Sequence, residues 1–335
     1  MKKYLLSCDW GTTSFRLRLI ERADSTLAGE VLSQNGIGQT YNLWQSREND
    51  GLSREEFFRQ QLQEHIDALA RQVGFSLDGV TIVMSGMASS SIGMQEIPYS
   101  NLPFALDGSG ALMQHFGVQP DFPHEIMLVS GVRSDHDVMR GEETQLIGLV
   151  ETAGLPENGD VIFIFPGTHS KHMYVRNNQL IDFKTYMTGE VFNLMTRHSI
   201  LRDSIELNGS EEFSAEKVEA YKAGVREAGV TNILNALFTV RTNQLFSLWD
   251  KQQNGMFLSG LLIGHEIQYL LREKDWQLVL CSGNNLYELY RMAIEELQLS
   301  ERTVTIPAGM VDKSAVAGHV KIFSYQKSTL NKLNL

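Results

Sequence analysis

Short apolar runs, cut by glycine turns and followed by helical stretches, organise the chain. Tyr4 to Cys8 reads as a strand, and Phe15 to Ile20 as a second, in which Arg16 and Arg18 alternate with Leu17 and Leu19. That period of two marks a strand with one covered face. A third strand is expected near Glu30 to Ser33. Ser53 and Glu56 have the S-x-x-E spacing of a capping box, and Phe58, Leu62, Ile66, Leu69 and Val73 then recur every three or four residues on one helix face. Val80 to Met84 is an apolar strand that ends in the loop SGMASSSIG, and Ile126 to Ser130 is another that leads through GVRSDHD into the helical GEETQLIGLVE.

Between Thr152 and Asp160 the text turns to Gly, Pro, Asn and Glu, which reads as a boundary. The pattern then restarts, with strands at Val161 to Phe165, His172 to Arg176 and Ile181 to Tyr186. A mainly helical stretch runs from about 189 to 272. WQLVLCSGNN leaves a strand for a helix with Leu286, Tyr290, Ala293 and Leu297 on one face; a short strand, Val304 to Ile306, and a last helix, Ala315 to Phe323, follow. Three strands, a helix, then strand and helix, appearing twice, predict an α/β protein of two similar halves, 1–152 and 153–335.

Composition narrows this picture little. The chain has 335 residues, 42% hydrophobic and 21% charged, enough for two ordinary domains. A net charge of −11 argues against nucleic acid and anionic membranes as partners, since both select a basic face. The apolar run after Met1 stops at Asp9, too soon for a signal peptide, and no stretch approaches a membrane span. Cys8 and Cys281 have neither zinc spacing nor a disulfide framework, so a reducing, cytoplasmic location is expected. Monomer and homodimer both stay open.

The chemistry begins with an internal echo. Gly11, Thr12, Thr13 and Ser14 follow the first strand, and Gly167, Thr168, His169 and Ser170 follow the strand that opens the second half. A glycine turn between strands lets backbone N–H groups converge on an anion, hydroxyls add donors, and Lys171 adds a positive charge after the second turn. One such turn means little. Two, in corresponding places, suit a polyphosphate tail. Neither a Walker A loop nor a G-x-G-x-x-G after a strand occurs. His169 and His172, three apart on a strand, would point to opposite faces, which disfavours a metal pair. Gly260 and Gly264 in FLSGLLIG read as close helix packing.

This layout resembles the actin, hexokinase and Hsp70 superfamily, whose two ribonuclease-H-like domains lie around a nucleotide cleft and each give one phosphate hairpin. DVMRGEETQLIG, FPGTHSKH, TYMTGE and FLSGLLIG, in that order, more closely resemble the 2-dehydro-3-deoxygalactonokinase family. The resemblance implies ATP and Mg²⁺ as cofactors and phosphorylation of a sugar acid, 2-dehydro-3-deoxy-D-galactonate, at its C6 hydroxyl in galactonate catabolism. It sets Gly283 and Asn284 at the adenosine and makes Asp9 the metal's carboxylate, since the second hairpin has Phe165 and Pro166 where many relatives carry an acid. Three alternatives stay open: an exopolyphosphatase-like hydrolase, because GEETQLI is similar to a catalytic stretch of those enzymes, a kinase for a related 2-keto-3-deoxy sugar acid, and a sugar-binding regulator or actin-like scaffold without enzymatic activity.

A sugar hydroxyl needs a carboxylate to accept its proton as the new bond forms. Glu142, Asp137 and Glu143 compete for that role, with Glu142 preferred. Neighbours on a helix diverge by roughly 100°, so at most one of the two glutamates faces the site squarely. Arg140 suits either the migrating phosphoryl group or a substrate carboxylate, and equally an ion pair with its neighbouring acids. The loop residues Gly86, Met87, Ser89 and Ser90 are expected at the substrate, and Thr188, Gly189 and Glu190 along a further wall of the site.

Overall fold

The computed structural model describes residues 3–47, 51–154, 159–207 and 213–333. Part of the predicted boundary at 152–160 therefore lies outside the described residues. The chain divides into two compact units, the first formed by Met1–Glu157, Asn178–Asp182 and Gly309–Leu335, the second by Asn158–Asn177 and Phe183–Ala308.

In unit 1, β1 (Tyr4–Trp10), β2 (Phe15–Glu21) and β3 (Leu27–Ser33) form an antiparallel meander. Helices α1 (Ile37–Gln45) and α2 (Arg54–Val73) follow, then β4 (Ile82–Gly86), the short β5 (Ser100–Asn101) and β6 (Phe104–Ala105), β7 (Met113–Phe116) and β8 (Ile126–Val129). The main sheet runs β3-β2-β1-β4-β8-β7, with β1, β4 and β8 parallel. The chain continues through β9 (Val132–Arg133) and β10 (Val138–Met139) into α3 (Glu142–Thr152). The alternation in β2 is realised: Phe15, Leu17 and Leu19 are fully buried, whereas Arg16 is exposed. The capping box forms at Ser53 and Glu56, and Gly74 ends α2 with a left-handed φ of 80°. Phe58, Leu62, Ile66 and Leu69 of α2 pack on Leu6, Cys8 and Trp10, one face of β1.

The other face of β1 meets the last helix, α9, which spans Ala308–Leu333 and follows the strands and helices of unit 2. Ser7 Oγ and His319 Nδ1 are 2.7 Å apart and buried. Burial lowers the His319 pKa to about 3, so the ring is neutral. Helices α3 and α9 touch through glycines: a Cβ on Gly148 would lie 1.9 Å from the Ser314 carbonyl oxygen, and one on Gly318 2.0 Å from that of Thr144. The predicted division at 152/153 thus needs correction, because the last helix completes the first unit.

Unit 2 repeats the plan. It comprises β11 (Asp160–Phe165), β12 (Ser170–Arg176), the end of β13 (Gln179–Tyr186), α4 (Thr188–His198), α5 (Ala215–Ala228), α6 (Ile233–Leu245), α7 (Lys251–Ile267), β14 (Gln277–Cys281), α8 (Asn284–Glu296) and β15 (Thr303–Ile306). Its strands run β13-β12-β11-β14-β15, with β11, β14 and β15 parallel and β11 and β12 antiparallel. This is the ribonuclease-H-like strand order of unit 1, as the repeated pattern in the sequence predicts. Helices α5 and α7 pack through Gly224 and Gly260, where added Cβ atoms would lie 2.2 and 2.0 Å from the Phe257 and Tyr221 carbonyl oxygens. No helix among the described residues is long and apolar enough to cross a membrane.

Candidate functional site

Unit 1 gathers its polar groups where β1 and β4 end. Asp9 pairs in register with Ser85, and Trp10 with Gly86. Gly86 has φ +88°, and a Cβ there would lie 2.7 Å from the Trp10 carbonyl oxygen and 3.3 Å from Asp9 Oδ1. Gly141, at φ +106°, would set a Cβ 3.4 Å from Gly86 Cα. The two glycines therefore let the loop after β4 and the turn before α3 close around Asp9. Burial raises the Asp9 pKa; the Arg16 guanidinium, 3.1 Å away, opposes this, and the charge of Glu142 adds to the rise.

Glu142 and Glu143 both open α3, but their surroundings differ. Glu142 is half-buried. Glu143 is 1% exposed, accepts the Gly141 N–H with both oxygens at 3.0 and 2.8 Å, and accepts the Thr144 hydroxyl at 3.1 Å. Burial first, then the charge of Glu142, raises its pKa to about 8. Glu143 is thus turned into the protein. Asp137 sits in a tight turn: Ser134 Oγ accepts the N–H groups of His136 and Asp137, and Asp137 Oδ1 accepts the N–H of Val138 at 2.7 Å.

The loop after β4 uses its hydroxyls internally. Ser89 donates to the Gly86 carbonyl and Ser90 to that of Met87, and both residues are buried. Arg140 holds the loop, donating to Ser89 Oγ at 2.7 Å and the Ile97 carbonyl at 3.2 Å while its guanidinium lies 3.9 Å from the Tyr99 ring centroid.

The first hairpin is pinned by its carbonyls. Gly11 N–H donates to Ser14 O, while Ile37 and Gly38 at the start of α1 donate to the carbonyls of Gly11 and Thr12. Thr12 and Thr13 stay exposed. The second hairpin differs in detail. Thr168 and His169 are exposed, but Ser170 is fully buried, with its Oγ accepting the Gly167 N–H at 3.3 Å and lying 2.9 Å from Tyr290 Oη. Lys171 is 5% exposed and its ammonium reaches the His169 carbonyl at 3.5 Å. Ser170 and Lys171 are thus buried, and Thr168 and His169 are the members of this turn that stay exposed.

Beside this hairpin lies a cavity of about 280 Å³ lined by Gly167, Thr168, Gly189, Phe192, Leu286 and Tyr290, among others. A second, of about 520 Å³, adjoins it through shared Phe192, Ser259 and Leu289 and is lined further by Lys217, Gln252 and Asn284. These volumes suit a small-molecule site of apolar walls with a few polar groups. Thr188 and Gly189 of the predicted further wall line the first cavity. Gly283 caps α8 with ordinary φ −68° and has nothing within 4 Å of an added Cβ. Sequence reasoning missed Phe192, Ser259 and Leu289, whose apolar spacing reads as helix core.

Metal ligation has a modest basis in unit 1. Ser85 Oγ, beside Asp9 in register, is buried without a hydrogen-bond partner. Among the described residues no three His, Cys, Asp or Glu side chains group to hold a metal. One or two carboxylates fit Mg²⁺, which keeps several waters and shares phosphate oxygens.

Two units share one strand order, and each places a glycine hairpin after its first strand, an arrangement that suits the phosphates of a nucleotide. The chain belongs to the 2-keto-3-deoxy-galactonokinase family, whose model matches residues 9–320. It is similar to the 2-dehydro-3-deoxygalactonokinase of Escherichia coli K12, with 33% identity over 223 residues, 64% of this chain and 70% of the relative. A Rhizobium meliloti strain 1021 protein, assigned provisionally to the same activity, is 31% identical over 309 residues, 90% of this chain and 92% of the relative. A Sinorhizobium meliloti crystal structure, also provisionally assigned, superposes with a TM-score of 0.76 at 29% identity, covering 95% and 96% of the two chains.

Proposed function

We propose that this kinase transfers the γ-phosphoryl group of ATP to the C6 hydroxyl of 2-dehydro-3-deoxy-D-galactonate. The observation that carries the reading is the placement of Asp9 with Glu142 at the end of the unit 1 sheet, in a chain whose family match spans residues 9–320. Unit 2 supplies the nucleotide pocket, with the exposed backbone of Thr168 and His169 toward the phosphates and the cavity near Asn284 toward the base and ribose.

Glu142 accepts the proton of the attacking hydroxyl. It is the half-buried member of the acidic pair, whereas Glu143 is buried with both oxygens on the Gly141 N–H. Asp9, through water, and the buried Ser85 hydroxyl would hold Mg²⁺, which when bound offsets charge on the phosphate oxygens. Arg140 shapes the loop at 87–91 that borders the acceptor. The buried, unpaired Cys8 and Cys281 suit a reducing cytoplasm.

A coupled assay of ADP release tests the reading. ADP output is expected to rise when 2-dehydro-3-deoxy-D-galactonate is added. Output no higher than with water alone would overturn it, and phosphate release without the sugar acid would mark a hydrolase instead.

A further inference from the structure

A carboxylate inside an apolar helix face is costly unless donors surround it. Glu266, on α7, is 2% exposed among the buried Leu262, Ile263 and Ile267, and the proposed reaction gives it no task. Its Oε1 accepts from His172 Nε2 at 3.1 Å. Its Oε2 accepts the Thr188 hydroxyl at 2.5 Å and the Tyr290 phenol at 2.7 Å. The donors come from β12, α4 and α8, so one side chain joins three elements.

The order of protons along this network follows from its end. A carboxylate has only lone pairs to offer, so Tyr290 donates its single proton to Glu266. Tyr290 Oη can then only accept from Ser170, 2.9 Å away, and Ser170 Oγ is left to accept the Gly167 N–H at 3.3 Å. That arm reaches the first residue of the second glycine hairpin. The other arm reaches its opposite side. Thr188 precedes Gly189, where a Cβ would lie 2.7 Å from the Gly167 carbonyl oxygen and 2.8 Å from Thr168 Cα. The Glu190 N–H donates to the Thr168 carbonyl at 3.1 Å. Both arms end on the wall of the 280 Å³ cavity.

We infer that Glu266 is a positioning residue: from inside the unit it sets the backbone of Gly167, Thr168 and His169 in the shape that receives a nucleotide's phosphates. The inference rests on the kinase reading for what the hairpin binds, but its test needs no turnover. Glu266→Gln places an amide donor where only acceptors serve, and Tyr290→Phe cuts the Ser170 arm alone with little change of volume. The full-length chain and both variants are titrated with the non-hydrolysable ATP analogue AMP-PNP by calorimetry, and steady-state kinetics are run against ATP and the sugar acid.

For Glu266→Gln, AMP-PNP affinity is expected to fall on the order of 10–100-fold, the effect of leaving buried hydrogen-bonding groups unpaired. KM for ATP should rise in step, with KM for the sugar acid within about twofold and far-ultraviolet dichroism unchanged. Tyr290→Phe should shift the same quantities by less, and it carries the test if Glu266→Gln does not fold. Unchanged AMP-PNP affinity in the variants, or both KM values moving together, would overturn the inference while leaving the kinase reading intact. Wild-type protein that binds AMP-PNP but phosphorylates no sugar acid would overturn the kinase reading and leave the positioning role standing.

Discussion

Both carboxylate oxygens of Glu143 accept the backbone N–H of Gly141, at 3.0 and 2.8 Å. The bond closes the turn before α3 from within and leaves Glu142 as the acid at the unit's polar end. Because the folded-state pKa of Glu143 is raised to about 8, above its value in the unfolded chain, the folded protein holds a proton that the unfolded one releases. Stability from this group is complete below about pH 4.5 and lost as the pH rises through about 8. Glu143→Gln should flatten the decline of the urea midpoint between pH 5 and pH 8. Parallel declines in variant and wild type would refute the assignment.

Glu142→Gln should lower kcat by about 10²–10⁴-fold with KM for ATP little changed, since the side chain serves the proton and not the nucleotide. Steady-state kinetics at saturating sugar acid provide the measurement. A kcat within threefold of wild type would return the role of base to Asp137.

Asp9→Asn keeps the shape of the side chain and removes its charge. The Mg²⁺ concentration for half-maximal rate should rise about 10–100-fold, the range found when a group acting through water is lost from a metal site. Magnesium titration of the initial rate measures it. An unshifted titration curve means that Asp9 has no part in holding the metal.

Arg140→Lys preserves charge but loses the planar fork that reaches Ser89, Ile97 and the Tyr99 ring together. KM for the sugar acid should rise about tenfold, with KM for ATP within about twofold. Equal change in both constants would show that the loop at 87–91 does not border the acceptor.

Gly260→Ala would put a methyl group 2.0 Å from the Tyr221 carbonyl oxygen, between α5 and α7. The helices must part, at a cost of about 2–3 kcal/mol. Calorimetric melting should show a drop of several degrees. A melting temperature equal to wild type would mean that the helices adjust without cost.

Much of the sheet was legible in the sequence because β11 and β14 are apolar runs followed by glycine turns and β2 alternates, and periodicity reports burial directly. The hairpins were legible for the same reason, and their repetition gave them meaning. What a side chain does at the end of a loop was not. Ser89 and Ser90 look the same in the sequence whether their hydroxyls face a ligand or bond Gly86 and Met87. Glu142 and Glu143 are separated only by helix phase, which the conformation of Gly141 fixes. Glu266 was hidden for another reason: its partners His172 and Tyr290 lie 94 and 24 residues away, and a lone acid in an apolar helix carries no local sign of them.

The return of α9 to unit 1 orders the birth of the molecule. Ser7 emerges from the ribosome 312 residues before its partner His319, so the Ser7 side of β1 waits for that contact until the last helix of unit 1 has been made. The strands of unit 2 lie wholly upstream of that helix and can be completed sooner. Truncation of the chain before Gly309 would therefore injure the unit made first and spare the one made last.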